Sequence, residues 1–364
     1  MTNRKYKINS FSPSFLKRRW KKFKKIKRGY YSLIILILLY FISLILPVFI
    51  GNSALFVRYN GKYYFPLFKN FSANEFEQHS RNINNSDTKL EGEANYRWLK
   101  QEFDEKGENN FVILSLYPYG PNENLLDEME GNPPHPPSMQ HIFGTDDRGR
   151  DVLSRLAYGF NISLSFSIIV TFFTFLFGFI FGALLGYYGG KFDFLGLRLI
   201  EIWSTLPVIY ILIIISSIIR PNFFWLTLLL ILFGWVGITY YIRGEVYREK
   251  AKDYTMAAVA IGASDLKVIF KHIMPNALIP VISFVPFALV GYITSLVSLD
   301  FLGFGLPPPT PSWGELISQG LKNTQYWWLV SAPLGAQFFT LLMIVFIGEG
   351  VREAFDPKPF SRYK

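Results

Sequence analysis

Residues 30–50 constrain this chain more than any other feature, because they form one uncharged apolar run. A helix of about 21 residues rising about 1.5 Å each is about 31 Å long, the thickness of a hydrocarbon core. Ahead of the run stand Arg4, Lys5, Lys7, Lys17, Arg18, Arg19, Lys21, Lys22, Lys24, Lys25, Lys27 and Arg28, with no acid among the first 28 residues. That is the flank of a first span entering from the cytoplasm. The apolar core is too long for a cleaved signal, and no A-x-A site follows it, so residues 29–50 read as an uncleaved transmembrane helix. Bases beside such a helix face anionic membrane lipid rather than nucleic acid.

Apolar runs recur at 163–187, 200–219, 224–242, 279–299 and from Trp327 and Trp328 to near Ile347. The chain is 50% hydrophobic and 18% aromatic, which removes it from the soluble globular class. The expected class is an all-α polytopic membrane protein with six transmembrane helices. Both ends, 1–28 and 351–364, fall in the cytoplasm if each basic loop stays inside. There is no Cys, so disulfides, thiolate metal sites and Cys nucleophiles are excluded. His79, His135, His141 and His272 are scattered, with no spacing that suits zinc.

Between the first two spans, residues 51–142 turn polar, with Glu102, Asp104, Glu105, Glu108, Asp127, Glu128 and Glu130. This insert is expected on the extracytoplasmic side. Tyr63-Tyr64-Phe65 and Phe111-Val112-Ile113-Leu114 can supply strands or a small core. Asn132-Pro133-Pro134-His135-Pro136-Pro137 reads as an extended linker closing the insert.

Gly178, Gly182 and Gly186 repeat every four residues within the second span, a stripe along which another helix can approach closely. Gly189-Gly190-Lys191-Phe192-Asp193 reads as a turn, and Arg198 can pair with Glu201 at i,i+3. Pro280 and Pro286 interrupt the fifth span, and residues 302–325, rich in Pro and Gly, read as an outer loop.

Residues 243–275 form a polar loop with more bases than acids, hence cytoplasmic. An Ala-rich helix over about 250–261 is broken at Gly262, and Ser264 and Asp265 suit the start of a second helix that Pro275 limits. Ala257 and Ala258 give a small-residue face on which a partner's groove can close. Composition alone leaves an ordinary cytoplasmic hairpin equally open.

Upstream, Gly144-Thr145-Asp146-Asp147-Arg148-Gly149-Arg150-Asp151-Val152-Leu153-Ser154-Arg155-Leu156 reads as an interfacial helix running into the second span, with Asp151 paired to Arg155 at i,i+4. A calcium loop fails its template at Gly149 and Val152.

The 254–276 segment resembles the EAA loop of binding-protein-dependent ABC importer permeases: Glu-Ala-Ala, three residues, Gly, and a later Leu-Pro. Ala257, Ala258, Gly262 and Pro275 fall in register, while Met256 stands at the Glu position and Met274 at the Leu. The 144–156 segment is similar to the GTDxxGRDxLSR signature of dipeptide and oligopeptide permeases. Residues 300–314, Asp300-Phe301-Leu302-Gly303-Phe304-Gly305 through Pro311-Ser312-Trp313-Gly314, are similar to their FLGLG…PPTPSWG loop. The resemblance runs from about Phe143 to Asp356. The insert and Glu201-Ile202-Trp203-Ser204-Thr205-Leu206-Pro207 look like the Yej-type branch.

What the resemblance implies is a type I ABC importer (MetI-like) permease core over 143–350, in the bacterial inner membrane, importing peptides. The branch is associated with oligopeptides and with peptide antibiotics such as microcin C. Coupling to an ATPase would fall to Ala257, Ala258, Gly262, Ser264, His272 and Pro275. The extracytoplasmic interfacial helix would hold Gly144, Asp146, Arg148, Gly149, Asp151 and Arg155. Implied partners are ABC ATPase subunits, a second permease subunit in a heterodimer, an extracytoplasmic peptide-binding protein and the peptide itself, with no nucleic acid. No GxxxxGK[ST] loop occurs, so the chain is expected to be no enzyme and to hold no cofactor, ATP and Mg belonging to the partner. A proton-coupled transporter would need ionisable groups deep in its spans, whereas Glu201, Asp300 and Glu349 lie near ends. A membrane-embedded enzyme would need a catalytic constellation that the spans lack.

Overall fold

A computed structural model describes residues 13–78, 92–106, 109–126, 128–129 and 131–355. Arg4, Lys5, Lys7, His79, Glu108, Asp127, Glu130, Asp356, Pro357, Lys358, Arg362 and Lys364 lie outside them. In a bilayer only internally bonded backbone is tolerated, and the apolar runs accordingly form helices. The N-terminal segment gives α1 (Pro13–Lys25), α2 (Lys27–Leu44) and α3 (Leu46–Phe49), Pro47 marking the break. The insert gives β1 (Ala54–Tyr59), β2 (Lys62–Tyr64), α4 (Tyr96–Lys106) and β3 (Phe111–Leu114). Then follow α5 (Val152–Tyr188), α6 (Gly190–Ser204), α7 (Val208–Ile218), α8 (Phe223–Lys250), α9 (Asp253–Ala260), α10 (Asp265–Lys267), a π-helical stretch (Val268–Ile273), α11 (Met274–Ile282), α12 (Val285–Phe301), α13 (Trp313–Lys322) and α14 (Trp328–Phe355).

Among the described residues, α2, α5, α8 and α14 are long and apolar enough to cross a membrane. Two pairs are bent, α6 with α7 by 61° and the Asp265–Ile282 arm with α12 by 55°, and counting each as one span brings the number to six. Pro207 precedes α7 and Pro286 opens α12; neither has an N–H to continue the previous helix.

One compact unit holds residues 1–37, 164–296 and 339–364. Its seam is the glycine stripe of α5 against α8. A Cβ at Gly182 would stand 2.8 Å from the Thr239 carbonyl oxygen and 2.9 Å from Ile242 Cβ; Gly186 meets the Arg243 carbonyl and Val246 in the same way, and Gly178 meets Ile238 and Trp235. The expected turn at 189–193 is shorter than expected: α6 starts at Gly190, and Asp193 is buried in its first turn, held by both Arg243 and Tyr247 of α8. Arg198 reaches Glu201 at 2.5 Å as its spacing predicts. At the chain ends, Arg19 Nη1 donates to the Ala354 carbonyl at 2.8 Å and Arg28 pairs with Glu349 at 3.1 Å, so α1 and α2 sit on the end of α14.

The second unit holds 38–163 and 297–338. The strands expected at Tyr63 and Phe111 are present in an antiparallel sheet of order β2-β1-β3, so the chain is not wholly α. One face of the sheet packs Ala54, Val57 and Val112 on Leu99 and Phe103 of α4. Arg97 locks the insert's far side: it donates to Glu123 at 2.8 Å and Glu128 at 2.5 Å and lies over the Tyr119 ring. Burial alone would lower its pKa, but those hydrogen bonds and charges win and raise it. The Pro-rich segment is no free linker. His135 N donates to Thr145 Oγ1 at 2.8 Å, and the His135 carbonyl accepts from Thr145 N at 2.9 Å, tying it down. The expected outer loop over 302–325 also folds, giving α13, whose Ser312 cap accepts from Glu315 N at 3.3 Å.

Candidate coupling site

The end of α8, α9 and the arm from α10 into α11 make an elbow. Helix α9 stops in a Schellman motif: Gly262 N donates to the Val259 carbonyl at 2.9 Å and Ala263 N to the Ala258 carbonyl at 3.1 Å. Gly262 takes φ +79°, a left-handed conformation that side chains resist. The arm then starts at Ser264, whose backbone is extended as a cap requires but whose exposed side chain makes no cap bond. Asp265 instead accepts from Tyr187 Oη at 2.8 Å, pinning the arm to α5.

Pro275 does not end this second helix. The backbone widens over Val268–Ile273 into π geometry, Met274 N bonding back to the Ile269 carbonyl, and Pro275 falls in the first turn of α11. The wider turn relieves the clash between the proline ring and the carbonyl of the preceding turn.

The elbow's two faces differ sharply. Thr255, Ala258, Val268, Ile269 and Ile273 are buried, the apolar four against Tyr187, Ile242 and Val246. Ala258 therefore belongs to the base of the elbow, and the small-residue face shrinks to Ala257, which is exposed. Met256, Val259, Leu266 and Phe270 are exposed large apolar side chains, and Ile261 is 85% exposed. Beneath them lies a polar knot that sequence reading missed. Glu249, buried, accepts from Lys252 at 2.6 Å and from Tyr254 Oη, and Asn276 Nδ2 donates to Tyr254 Oη at 2.8 Å and to the His272 carbonyl at 3.1 Å. Burial and the Glu249 carboxylate push the Tyr254 phenol up to about 12. His272 thus contributes its backbone to the knot.

In the other unit the 144–151 segment is a knotted loop, not a helix. Gly144 and Gly149 take positive φ, and Asp146 folds back on the turn, accepting from Arg148 N at 3.0 Å and Arg150 N at 2.9 Å. Asp151 caps α5 by accepting from Ser154 N at 2.8 Å and also holds Tyr117 Oη at 2.7 Å and His141 Nδ1 at 2.9 Å. Its oxygens are taken up by these three groups, and the expected Asp151–Arg155 pair does not form. Arg155, fully buried, reaches Glu315 of α13 at 2.5 Å and lies 3.6 Å from Asp146. Arg150 joins the same group, at 2.6 Å from Asp146 and 3.1 Å from Glu315. Burial would lower the Arg150 pKa, but Asp146 and Glu315 together outweigh it and raise it. Asp147, half exposed beside Arg148, is raised by burial and by the Asp146 charge. Ser312 Oγ donates to Asp300 at 2.6 Å, and Trp313 Nε1 to the Leu156 carbonyl at 3.0 Å. The two segments singled out in sequence thus form one buried charged joint.

The model of binding-protein-dependent transport system inner membrane components matches residues 178–360, which hold the whole elbow. The chain is 41% identical to the inner membrane ABC transporter permease protein YejE of Escherichia coli, over 93% of this chain and 96% of that one. This chain belongs to that permease family. It is also 37% identical to the peptidoglycan transport system permease protein YejE of Agrobacterium fabrum, over 97% of this chain and 95% of that one. With the dipeptide transport system permease protein DppC of Bacillus subtilis the identity is 32%, over 68% of this chain and 78% of that one. In this permease, a multi-pass inner-membrane protein, each polar group ties one backbone element to another.

Proposed function

We propose that this permease imports peptides as one subunit of an ATP-driven assembly and takes its energy through the elbow. The single observation that carries the reading is the split of the elbow into a buried, pinned base and an exposed apolar ridge of Met256, Val259, Ile261, Leu266 and Phe270. Such a ridge on a short helix is what a groove on another protein recognises. The partner is an ATPase, since this chain has no phosphate-binding loop; ATP and Mg bind there. Ala257 and the Gly262 break shape the docking surface, and Ser264, His272 and Pro275 set the arm's course away from it.

The relatives named for dipeptide and oligopeptide transport support peptides as cargo, and the two YejE-named relatives, which match nearly the whole chain including the insert, support the Yej-type branch. Within that branch oligopeptides and peptide antibiotics of the microcin C kind are the cargo class. A second, different permease chain completes the pore, and an extracytoplasmic binding protein delivers the peptide. Both termini and the elbow face the cytoplasm, in keeping with their bases, and residues 51–142 face outward. Alternation between two packings of the helices moves the solute. Affinity purification from gently solubilised membranes tests the assembly. An ATPase and a second permease chain are expected to come with this one, and recovery of the chain alone from membranes that import peptides in an ATP-dependent way would overturn the proposal.

A further inference from the structure

Helix α1 has two faces, and the rest of the fold uses only one of them. Arg19, Lys22, Phe23 and Ile26, at helical spacing, are turned toward the protein. Phe23 is buried against Gly29 and Gly350, where a built Cβ would come within 3.4 and 2.9 Å of its ring. Arg19 Nη1 donates to the Ala354 carbonyl at 2.8 Å and Lys22 Nζ to the Glu353 carbonyl at 2.6 Å, so α1 caps the last turn of α14. Carbonyls there have no partner within their own helix and carry its negative end, which two cations suit.

On the other face Lys17, Arg18, Lys21, Lys24 and Lys25 are exposed. Among the described residues none of the five is ion-paired, and no acid occurs in the first 28 residues to offset them. Trp20 sits at the edge of this face, stacked on Phe23 at 5.5 Å and edge-on to Tyr30 at 6.3 Å between ring centroids. Lys24 Nζ lies 5.6 Å from the Trp20 ring and 5.8 Å from the Tyr30 ring. Ten residues of straight helix would part Trp20 from Tyr30 by about 15 Å, so their contact marks a turn of the chain at Ile26, between α1 and α2. Helix α1 therefore leaves the line of the span where the span reaches the membrane surface, the level at which amphipathic rings settle. Tyr31, Ile34 and Ile35 of α2 are exposed, so the surface offered to lipid leads along the chain directly into the basic face. An unopposed array of bases in that place matches the anionic surface of a membrane, each base strengthening attachment by about fivefold.

We infer that α1 is a clamp for anionic phospholipid. Lys17, Arg18, Lys21, Lys24 and Lys25 bind headgroup phosphates while Arg19 and Lys22, on the same helix, hold the end of α14, so that lipid charge fixes that end in place. Arg19 also lines the cleft that reaches Glu249 and Lys252 of the elbow, and the clamp accordingly sets how fast the permease turns over. The effect on turnover rests on the transport reading above; headgroup binding does not.

In the test the full assembly, in nanodiscs of phosphatidylcholine with or without phosphatidylglycerol, is digested with chymotrypsin, and cleavage after Trp20 is followed by mass spectrometry. Cleavage should be about tenfold slower with phosphatidylglycerol, and high salt should remove the protection. Equal cleavage of the wild type in both discs overturns the clamp. Lys17→Gln, Arg18→Gln, Lys21→Gln, Lys24→Gln and Lys25→Gln, made together, should abolish the protection, whereas Lys→Arg at the four lysines should keep it. Protection that survives the Gln changes overturns the assignment to this face. Binding of an oligonucleotide to wild-type discs that contain phosphatidylglycerol, lost in the Gln variant, would give the face to nucleic acid and overturn it as well. In proteoliposomes, ATP-driven peptide uptake should be about threefold or more faster with phosphatidylglycerol, a response the Gln variant loses. Wild-type uptake indifferent to phosphatidylglycerol overturns the clamp's part in turnover. Protection of Trp20 without peptide uptake in either membrane upholds the headgroup site and counts against the transport reading instead.

Discussion

Replacing Glu315 by Ala should be among the most damaging single changes outside the elbow. In the native joint two carboxylates, Asp146 and Glu315, face two buried guanidinium groups, Arg150 and Arg155. Removing Glu315 leaves Arg155, with no exposed side-chain surface, relying on a carboxylate 3.6 Å away that already serves Arg150 at 2.6 Å. Breaking a buried pair by deleting one partner costs about 3–5 kcal/mol. At about 2–4 °C per kcal/mol for a folded body of this size, the midpoint of thermal unfolding in detergent should fall by about 6–20 °C. Glu315→Gln, which keeps a hydrogen-bond acceptor but no charge, should fall between Ala and wild type. The double change Glu315→Leu with Arg155→Met leaves Arg150 and Asp146 as a balanced pair and should recover most of the loss, because apolar replacement of a whole pair is close to neutral. Unfolding can be followed by size-exclusion chromatography after heating. A midpoint for Glu315→Ala within about 2 °C of wild type would refute the joint's structural role.

Three further outcomes are expected. Gly182→Leu forces a side chain into the Thr239 carbonyl and should destabilise by about 1–3 kcal/mol, read as a lower unfolding midpoint, whereas Leu at Gly237, with open space, should not. Gly262→Val places a branched side chain at φ +79° and should cost about 1–2 kcal/mol locally, leaving membrane insertion intact while peptide uptake per ATP hydrolysed falls. Arg97→Gln strips Glu123 and Glu128 of their shared cation, so limited proteolysis should cut within 51–142 faster while the helical spans stay resistant.

What sequence could reveal depended on how local its cause was. The apolar runs, the Gly178 stripe and the Gly262 break follow from composition and spacing within a few residues; helices cover the runs, and the third and fifth of them are each bent at a break by an angle that the runs do not announce. The helix α13 carried a readable sign, Ser312 three residues before Glu315, but Pro and Gly around it drew attention to a loop instead. The loop at 144–151 was misread because an acid followed four residues later by a base suggests a helical pair, while Asp146 and Asp151 spend their oxygens on backbone N–H groups. The partners of Arg155 and Asp193 lie 160 and 50 residues away, beyond any periodicity. Ala257 and Ala258 look equivalent in sequence, and only the packing of α9 on α5 and α8 turns one in and leaves the other out. Pro275 read as a stop because a π turn cannot be seen in composition.

If force enters through the elbow ridge, a crosslink from the ridge itself reports it most directly. Cys placed singly at Ala257 or Ile261, in a chain that has none of its own, is treated with a short thiol-to-amine crosslinker in vesicles importing peptide. Both positions should join this permease to a nucleotide-hydrolysing subunit, and the joined product should stop import. An active preparation in which neither thiol ever captures that subunit would contradict the account.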